Sequence, residues 1–246
     1  MTARTGSPRW HHADVPTPRD YDADPERYRL GMRLAAEHSR ADLQIRVVEH
    51  LVSAGARVVL DAGCGDGALA AAAAGTALRV VGLDAAAPAL RAAGRHGPVL
   101  HGDVTALPVR DTRVDAVVSI NVLDHLDRPA VALREAHRVL RPSGLLVAGA
   151  VARADSPELA PFWRPGRTPF DAEEAPEVVA GVFGPVTTDA WDAPLVTLPD
   201  RDAVRDYLRA RFVAADEAER LADGVAARGP LPLPVTKRGA LVLASR

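Results

Sequence analysis

A glycine-rich turn between a short apolar segment and an alanine-rich segment most constrains how this chain can fold. The stretch is Val-Val-Leu-Asp-Ala-Gly-Cys-Gly-Asp-Gly-Ala-Leu, from residue 58 to residue 69. A β-branched run, a carboxylate, alternate glycines and then alanines are typical of a strand, a tight turn and a helix in succession. Gly63, Gly65 and Gly67 lack Cβ atoms where the backbone turns sharply and where a ligand would approach the main chain. The pattern predicts an α/β fold with a nucleotide-like ligand at this turn.

Two classes of cofactor fit the spacing of these glycines. As G-x-G-x-x-A, residues 63–68 match the dinucleotide fingerprint, in which a helix N-terminus holds a pyrophosphate. As D-x-G-x-G-x-G, residues 61–67 resemble the first motif of class I S-adenosylmethionine-dependent methyltransferases. A pyrophosphate would meet Asp61 and Asp66, and like charges ~4 Å apart repel by about 4 kcal/mol at a protein-like dielectric. S-adenosylmethionine has no phosphate and carries two cationic groups, so charge favours the second interpretation over a dinucleotide. A glycine-rich turn without a ligand is the remaining alternative.

Acidic residues also follow the next two predicted strands. The apolar segment Leu78–Leu83 ends at Asp84, near the spacing of about 20 residues at which a ribose-binding acid follows the glycine turn. A carboxylate there can accept hydrogen bonds from both ribose hydroxyls, and its alternative role is to cap the helix that follows. The resemblance implies that Asp103, after a short strand at Val99–Leu100, meets the adenine amino group beside the backbone of Val104.

The resemblance to class I methyltransferases covers about residues 40–152 and is closest to their small-molecule branch. Beyond the glycine turn it rests on Asp103, on Val-Asp-Ala-Val-Val at 114–118, on His125 and on Arg-Val-Leu-Arg-Pro-Ser-Gly at 138–144, where serine replaces the more usual glycine. It implies S-adenosylmethionine as cofactor and S-adenosylhomocysteine as product. The cofactor-binding residues that it implies are Tyr21, Tyr28, Asp61, Gly63, Cys64, Gly65, Asp84, Ala85, Asp103, Val104 and Asn121.

The resemblance also implies the architecture. It is a Rossmann-like three-layer sandwich with a seven-stranded, mostly parallel sheet in the order 3-2-1-4-5-7-6 and an antiparallel last strand. Predicted strands at 186–198, interrupted by Pro194, and at 236–244 end the sheet, and helices at 200–211 and 215–228 form an insertion between them. We expect a single methyltransferase domain over 1–246, with a mobile tail (1–20), N-terminal lid helices (21–54), a cofactor-binding core (55–152) and a C-terminal half with substrate-covering segments (153–246).

Aromatic residues are confined to the flanks of this predicted core. All ten lie outside residues 29–161, three before and seven after. We expect them to cover the open end of the sheet with an apolar pocket, since binding sites are often lined by aromatic side chains. The alternative is that these rings dock the flanks onto the core.

The function that we expect is transfer of the sulfonium methyl group to a small organic acceptor, such as a specialised metabolite. The reaction is a direct displacement, in which the protein mainly aligns donor and nucleophile, and it requires no metal. His125, after the fourth predicted strand, is the candidate base for a hydroxyl or phenol acceptor, and its alternative role is packing on the donor side. A non-catalytic or regulatory S-adenosylmethionine-binding protein and, with less support, a nicotinamide-dependent reductase are the alternative functions.

The net charge and the cysteine content limit the classes of partner that we expect. A net charge of -2 and a pI near 6.4 give no basic field for nucleic acid or an anionic membrane. Cys64 is the only cysteine, which excludes an intrachain disulfide and a cysteine-based zinc site. The chain shows neither a long apolar run nor a signal peptide, so we expect a cytoplasmic monomer or homodimer. The only lysine, Lys237, and Arg238 are expected to form a charge pair at a strand edge.

Overall fold

A computed structural model describes residues 25–38 and 43–246 of the chain. Seven strands form one sheet in the order β3-β2-β1-β4-β5-β7-β6. The strands are β1 (Val58–Ala62), β2 (Arg79–Asp84), β3 (Val99–His101), β4 (Val114–Ile120), β5 (Leu140–Val151), β6 (Val186–Leu198) and β7 (Leu233–Ser245). Pairs among β1 to β5 are parallel, and β7 runs antiparallel to both of its neighbours. The predicted sheet is confirmed in strand order and direction.

Helices cover both faces of this sheet and form the predicted insertion. They are α1 (Pro25–His38), α2 (Leu43–Ser53), α3 (Ala68–Ala72), α4 (Ala87–Ala93), α5 (Pro129–Val139), α6 (Ala175–Phe183), α7 (Arg201–Arg209) and α8 (Ala215–Arg228). Short 3-10 turns lie at Leu123–His125 and Pro157–Leu159. In the described part of the chain, no helix has the length and apolar character needed to cross a membrane.

The central strands send alternate side chains into two separate cores. Leu60 and Val117 pack in a cluster with residues of α5 and α6, whereas Val59 and Ala116 pack in a cluster with residues of α2 and α3. Successive residues of a strand face opposite sides of the sheet, so a strand that is covered on both sides must be apolar throughout. This requirement explains the continuous apolar run of β1 and produces the three-layer sandwich.

A third core holds the insertion beyond the carboxyl end of β5. Val151, the last residue of β5, pairs with Gly239 of β7, so residues 233–238 of β7 and their partners in β6 extend past that end. Helices α7 and α8 pack on this extension, and Leu34 of α1 belongs to the same cluster. The N-terminal helix and the insertion therefore sit together near the edge where the parallel strands end.

Two details of the last strands go beyond the sequence prediction. Pro194 does not interrupt β6, because the pairing with β7 shifts register between Pro194 and Val196 and a bulge accommodates a residue without an N–H group. Lys237 and Arg238 lie in the part of β7 that extends past the end of β5 and pairs there with β6. Beyond the predicted charge pair, Lys237 forms an ion pair with Asp155, whose side chain is only 2% exposed.

Candidate functional site

The glycine turn connects β1 to α3 and is shaped by its neighbours as well as by its own backbone. Gly63, Gly65 and Gly67 have φ values of 90°, 55° and 90°, in the left-handed region that glycine adopts at little cost. A Cβ atom on Gly63 would lie 2.2 Å from Val122 Cγ2, and one on Gly67 would lie 2.9 Å from Ala93 Cα. Two of the three glycines are thus also required by the close approach of the segment after β4 and of helix α4.

Asp84, at the end of β2, is bonded to the glycine turn. Its Oδ2 accepts a hydrogen bond from the Gly65 N–H at 2.9 Å, and its Oδ1 accepts one from the Ala86 N–H at 2.8 Å. Ala86 is the N-cap residue of α4, so Asp84 makes a contact at the helix start, as one alternative predicted. The Asp84 carboxylate also lines the cavity at this edge of the sheet. Its role in ribose binding stays a prediction.

A cavity of about 390 Å³ opens where the parallel strands end. Its wall includes each predicted site residue whose side chain the structure describes, namely Asp61, Gly63, Cys64, Gly65, Asp84, Ala85, Asp103, Val104, Asn121 and His125. Tyr21 lies outside the described residues, and Tyr28 lies in α1 at a position whose side chain is not described. Residues distant in sequence meet here because the carboxyl ends of parallel strands share one edge.

Burial dominates the electrostatics at the bottom of this cavity. Burial and, to a lesser degree, the negative charge of Asp84 together raise the pKa of Asp61 to about 7. Burial also raises the pKa of the Cys64 thiol above its ordinary value, so the thiol stays protonated at neutral pH. A Cβ atom on Gly82 would lie 2.7 Å from Cys64 Sγ, which shows that this cysteine packs closely over β2. The site therefore offers carboxylates to a cationic ligand and no reactive thiolate.

His125 lies in the short turn after β4. Its ring packs beside that of Phe212, and both residues line the cavity. The two ring centroids are 6.3 Å apart with the planes at 60°, and His125 Nε2 is 3.8 Å from Asp124 Oδ2. The His125 side chain is 23% exposed, so its ring is accessible from the cavity. The structure thus places the candidate base beside an aromatic residue of the C-terminal flank.

Several residues of the cavity wall were not selected by the sequence reasoning. Helix α1 contributes Arg27 and Gly31, helix α2 contributes Gln44, and the segment after α7 contributes Phe212. Phe212 is 53% exposed and has a φ of 66°, a conformation that costs a residue other than glycine about 1–2 kcal/mol. The confinement of aromatic residues to the flanks was the one sequence signal that pointed toward such a residue.

The other described aromatic residues of the C-terminal flank pack in the protein cores, as expected if these rings dock the flank onto the rest of the fold. Phe170 and Tyr207 are 1% and 2% exposed, and Phe183 and Trp191 pack against the two cores of the sheet. Phe162 and Trp163 pack against the core of the insertion. Among these C-terminal rings, Phe212 lines the cavity.

An acidic group outside the cavity is the one arrangement of metal-ligand type among the described residues. The carboxylate oxygens of Asp171, Glu173 and Glu174 lie within 4.8 Å of one another. Arg153 and Arg167 are 2.7 Å and 3.0 Å from Glu174, so arginine side chains already offset this negative charge. We assign this group no function.

The part of the chain that carries the glycine turn is similar to S-adenosylmethionine-dependent methyltransferases. Residues 60–148 match the family model described as a methyltransferase domain. Over 94 residues the chain is 42% identical to a protein of Mycolicibacterium smegmatis that is named a probable S-adenosylmethionine-dependent methyltransferase, and the match covers 37% of each chain. The chain spans between 29% and 43% of the length of the first curated relatives that it matches.

Solved structures share the fold over most of the chain. An S-adenosylmethionine-dependent methyltransferase from Archaeoglobus fulgidus superposes with a TM-score of 0.54 at 16% identity, covering 82% of this chain and 94% of that one. The [4+2]-cyclase SpnF superposes with a TM-score of 0.59 at 20% identity, covering 94% and 97%. At such identities these structures show the fold alone.

Proposed function

We propose that the protein transfers the methyl group of S-adenosylmethionine to a small organic acceptor and releases S-adenosylhomocysteine. The observation that carries the proposal is the cavity in which Asp61 and Asp84 meet the glycine turn. Two carboxylates there would attract the sulfonium and ammonium groups of the cofactor, whereas they would repel a pyrophosphate. The match of residues 60–148 to a methyltransferase family supports the same cofactor.

The proposed cofactor contacts use side chains that the cavity wall presents. Asp84 would accept hydrogen bonds from the ribose hydroxyls, and Asp103 would accept one from the adenine amino group. Asp103 Oδ1 already accepts a hydrogen bond from the Thr105 N–H at 2.7 Å, which orients that carboxylate. Tyr21 and Tyr28 would contact the cofactor from the N-terminal lid.

The chemistry that we propose is a direct displacement at the methyl carbon. The acceptor atom forms a bond to the methyl group while the carbon–sulfur bond breaks, and its electron pair goes to sulfur. Alignment of donor and acceptor supplies up to about 7–11 kcal/mol of the barrier reduction. For a hydroxyl or phenol acceptor, His125 would take the released proton, since the unperturbed pKa of histidine lies near neutrality. No step needs a metal.

The cofactor assignment is tested by titration calorimetry of the full-length protein. We expect binding of S-adenosylmethionine and of S-adenosylhomocysteine and no binding of NAD or NADP. The reverse pattern would show that the glycine turn holds a dinucleotide. A protein that binds S-adenosylmethionine without transferring its methyl group is the second candidate, because the cyclase SpnF shares the fold and a fold does not specify a reaction. Release of S-adenosylhomocysteine during turnover of an acceptor library separates the two candidates.

The role of His125 is tested once an acceptor is known. For a hydroxyl acceptor, His125→Ala should lower turnover by about 10²- to 10⁴-fold while the affinity for S-adenosylhomocysteine stays the same. His101→Ala is the matched control, because His101 Nε2 contacts the Ala85 carbonyl oxygen at 2.9 Å and has no proposed role in catalysis. Equal losses of cofactor affinity and turnover in His125→Ala would place His125 on the donor side.

We further propose that the chain works as a single methyltransferase unit, as a monomer or homodimer in the cytoplasm, on a small-molecule acceptor and without nucleic acid. The shared core of α1, α7 and α8 supports a single unit, because the N-terminal and C-terminal flanks pack on each other. The net charge of -2 supports the absence of a nucleic-acid partner.

A further inference from the structure

A second cavity adjoins the cofactor cavity and shares Arg27 and Phe212 with it. It has a volume of about 450 Å³ and lies between α1, α7 and the segment that follows α7. Its charged lining residues are Arg27, Arg33, Arg205, Asp206 and Arg209. Four arginines against one acid make this cavity cationic in a protein whose net charge is -2.

The positive charge of this cavity is only partly neutralised by neighbouring acids. Arg205 is paired, because its guanidinium lies 2.9 Å from Asp206 and 3.0 Å from Asp202. Arg33 is 3.6 Å from the same Asp206, and its side chain is 57% exposed. Among the acids whose side chains are described, none lies within ion-pair distance of Arg209. Arg33 and Arg209 therefore leave a surplus of positive charge at the cavity.

Phe212 links this cationic surface to the proposed reaction site. Its ring centroid lies 4.3 Å from Arg27 Cζ and 6.3 Å from the His125 ring centroid. An exposed aromatic residue in the left-handed region is unfavourable for folding, and such strain is concentrated at functional sites. A ligand that covers Phe212 would reach Arg27 on one side and His125 on the other.

We propose that the second cavity binds an anionic group, a carboxylate or a phosphate, of the methyl acceptor. The planar guanidinium groups of Arg33 and Arg209 match the oxygens of such groups. The apolar part of the acceptor rests on Phe212, and its nucleophilic atom enters the cofactor cavity near His125. This inference rests on the proposed function and adds to it the chemical class of the acceptor.

The test uses simple probes with the full-length protein saturated with S-adenosylhomocysteine. Phenyl phosphate and benzoate each combine an aromatic ring with an anion, and benzyl alcohol is their uncharged counterpart. We expect at least one anionic probe to bind by calorimetry with a Kd on the order of 1 mM and benzyl alcohol to bind at least tenfold more weakly. Anionic probes that bind no better than benzyl alcohol would overturn the proposal.

Two double variants test whether the anionic probe binds in the second cavity. The double variant Arg33→Gln/Arg209→Gln should weaken the anionic probe by about tenfold, or about 1.4 kcal/mol, and keep the affinity for S-adenosylhomocysteine. The control Arg95→Gln/Arg164→Gln removes the same charge at exposed or half-exposed positions that line neither cavity, and it should keep both affinities. Equal probe binding in the two double variants would overturn the anionic site alone. Failure of the wild-type protein to bind S-adenosylhomocysteine would overturn the proposed function itself.

Discussion

At the residue scale, two carboxylates at neighbouring strand ends, Asp61 and Asp84, have different environments and different roles. Asp84 accepts backbone hydrogen bonds from Gly65 and Ala86, so it supports the glycine turn and the start of α4. Asp61 is 5% exposed, and burial is the largest cause of its raised pKa. One side chain is therefore built into the fold, whereas the other has a charge that the fold disfavours.

The two roles of Asp84 can be separated by substitution. Asp84→Asn keeps an oxygen acceptor for one backbone donor, turns its NH2 group toward the other and loses the charge. We therefore expect S-adenosylhomocysteine to bind more weakly by about 1.5–3 kcal/mol, with a smaller loss of stability than in Asp84→Ala. Asp84→Ala should lose the same affinity and also lower the melting temperature, because two backbone N–H groups lose their acceptor. Titration calorimetry and thermal unfolding of both variants check this. Unchanged affinity in both would leave Asp84 with the structural role only.

Asp61 makes the ligand-free protein less stable as the pH rises. Its ordinary pKa is 3.8 and its pKa in the fold is about 7, so between these values the folded state binds more protons than the unfolded state. The stability that Asp61 gains when protonated is lost as the pH rises through about 7. Asp61→Asn should thus stabilise the protein more at pH 8 than at pH 5, by on the order of 2 kcal/mol, measured by urea unfolding. Asp66→Asn, in the same cavity wall, is the control, and a pH-independent effect of Asp61→Asn would refute the expectation.

At the scale of elements, a buried polar network fastens the insertion to the sheet. The Ser156 hydroxyl lies 2.7 Å from the Tyr207 hydroxyl, and the Lys237 ammonium donates to Tyr207 at 3.1 Å and forms an ion pair with Asp155. Asp155 also accepts a hydrogen bond from the backbone N–H of Arg238 at 2.8 Å. The network joins α7, the segment after β5 and β7 at one point.

Lys237 should matter far more for stability than its sequence neighbour. Lys237→Met leaves the Asp155 carboxylate buried without its counter-ion, and breaking a buried pair in this way costs about 3–5 kcal/mol. Arg238→Met is the matched control, because Arg238 pairs with Asp192, whose side chain is 63% exposed, and exposed pairs contribute about 0–1 kcal/mol. Urea unfolding of the two variants measures the difference. Similar losses in both would show that the network does not anchor the insertion.

At the scale of the whole molecule, both flanks of the chain converge on one edge of the central sheet. Helix α1 contributes Arg27 and Gly31 to the cofactor cavity, and the segment after α7 contributes Ala210 and Phe212. The two flanks also share the core cluster that contains Leu34. We expect this arrangement to cover the open end of the cavity and to limit the access of water.

Removal of helix α1, the predicted lid, should affect function more than stability. Deletion of residues 1–38 removes α1 with its part of the cavity wall and its Leu34 from the core of the insertion, but leaves both cores of the sheet intact. We therefore expect a nearly complete loss of methyl transfer and a lower melting temperature in a chain that still folds. Deletion of residues 1–20 leaves Tyr21 and α1 in place, and this control should retain activity. Normal turnover after the longer deletion would rule out a lid function for this helix.

The sequence by itself determined the strands, the glycine turn and the edge of the sheet at which the proposed site lies. These features follow from local signals, since apolar runs predict buried strands and glycines after a strand predict a tight turn against a ligand. The order of the strands came from the resemblance that those motifs carry, and the structure confirms it. The cavity residues that directly follow strands could be predicted from the sequence, because each stands next to its strand in the chain.

Only the tertiary structure decided which residues of the flanks reach the site. Arg27, Gln44 and Phe212 enter the cavity wall through the packing of helices far from the glycine turn in sequence, and no local pattern distinguishes them from other surface residues. The pairing of Lys237 with Asp155 is equally nonlocal, because 82 positions of sequence separate the two residues. Periodicity reports which face of an element is buried, but the partner across that face is set by the whole chain.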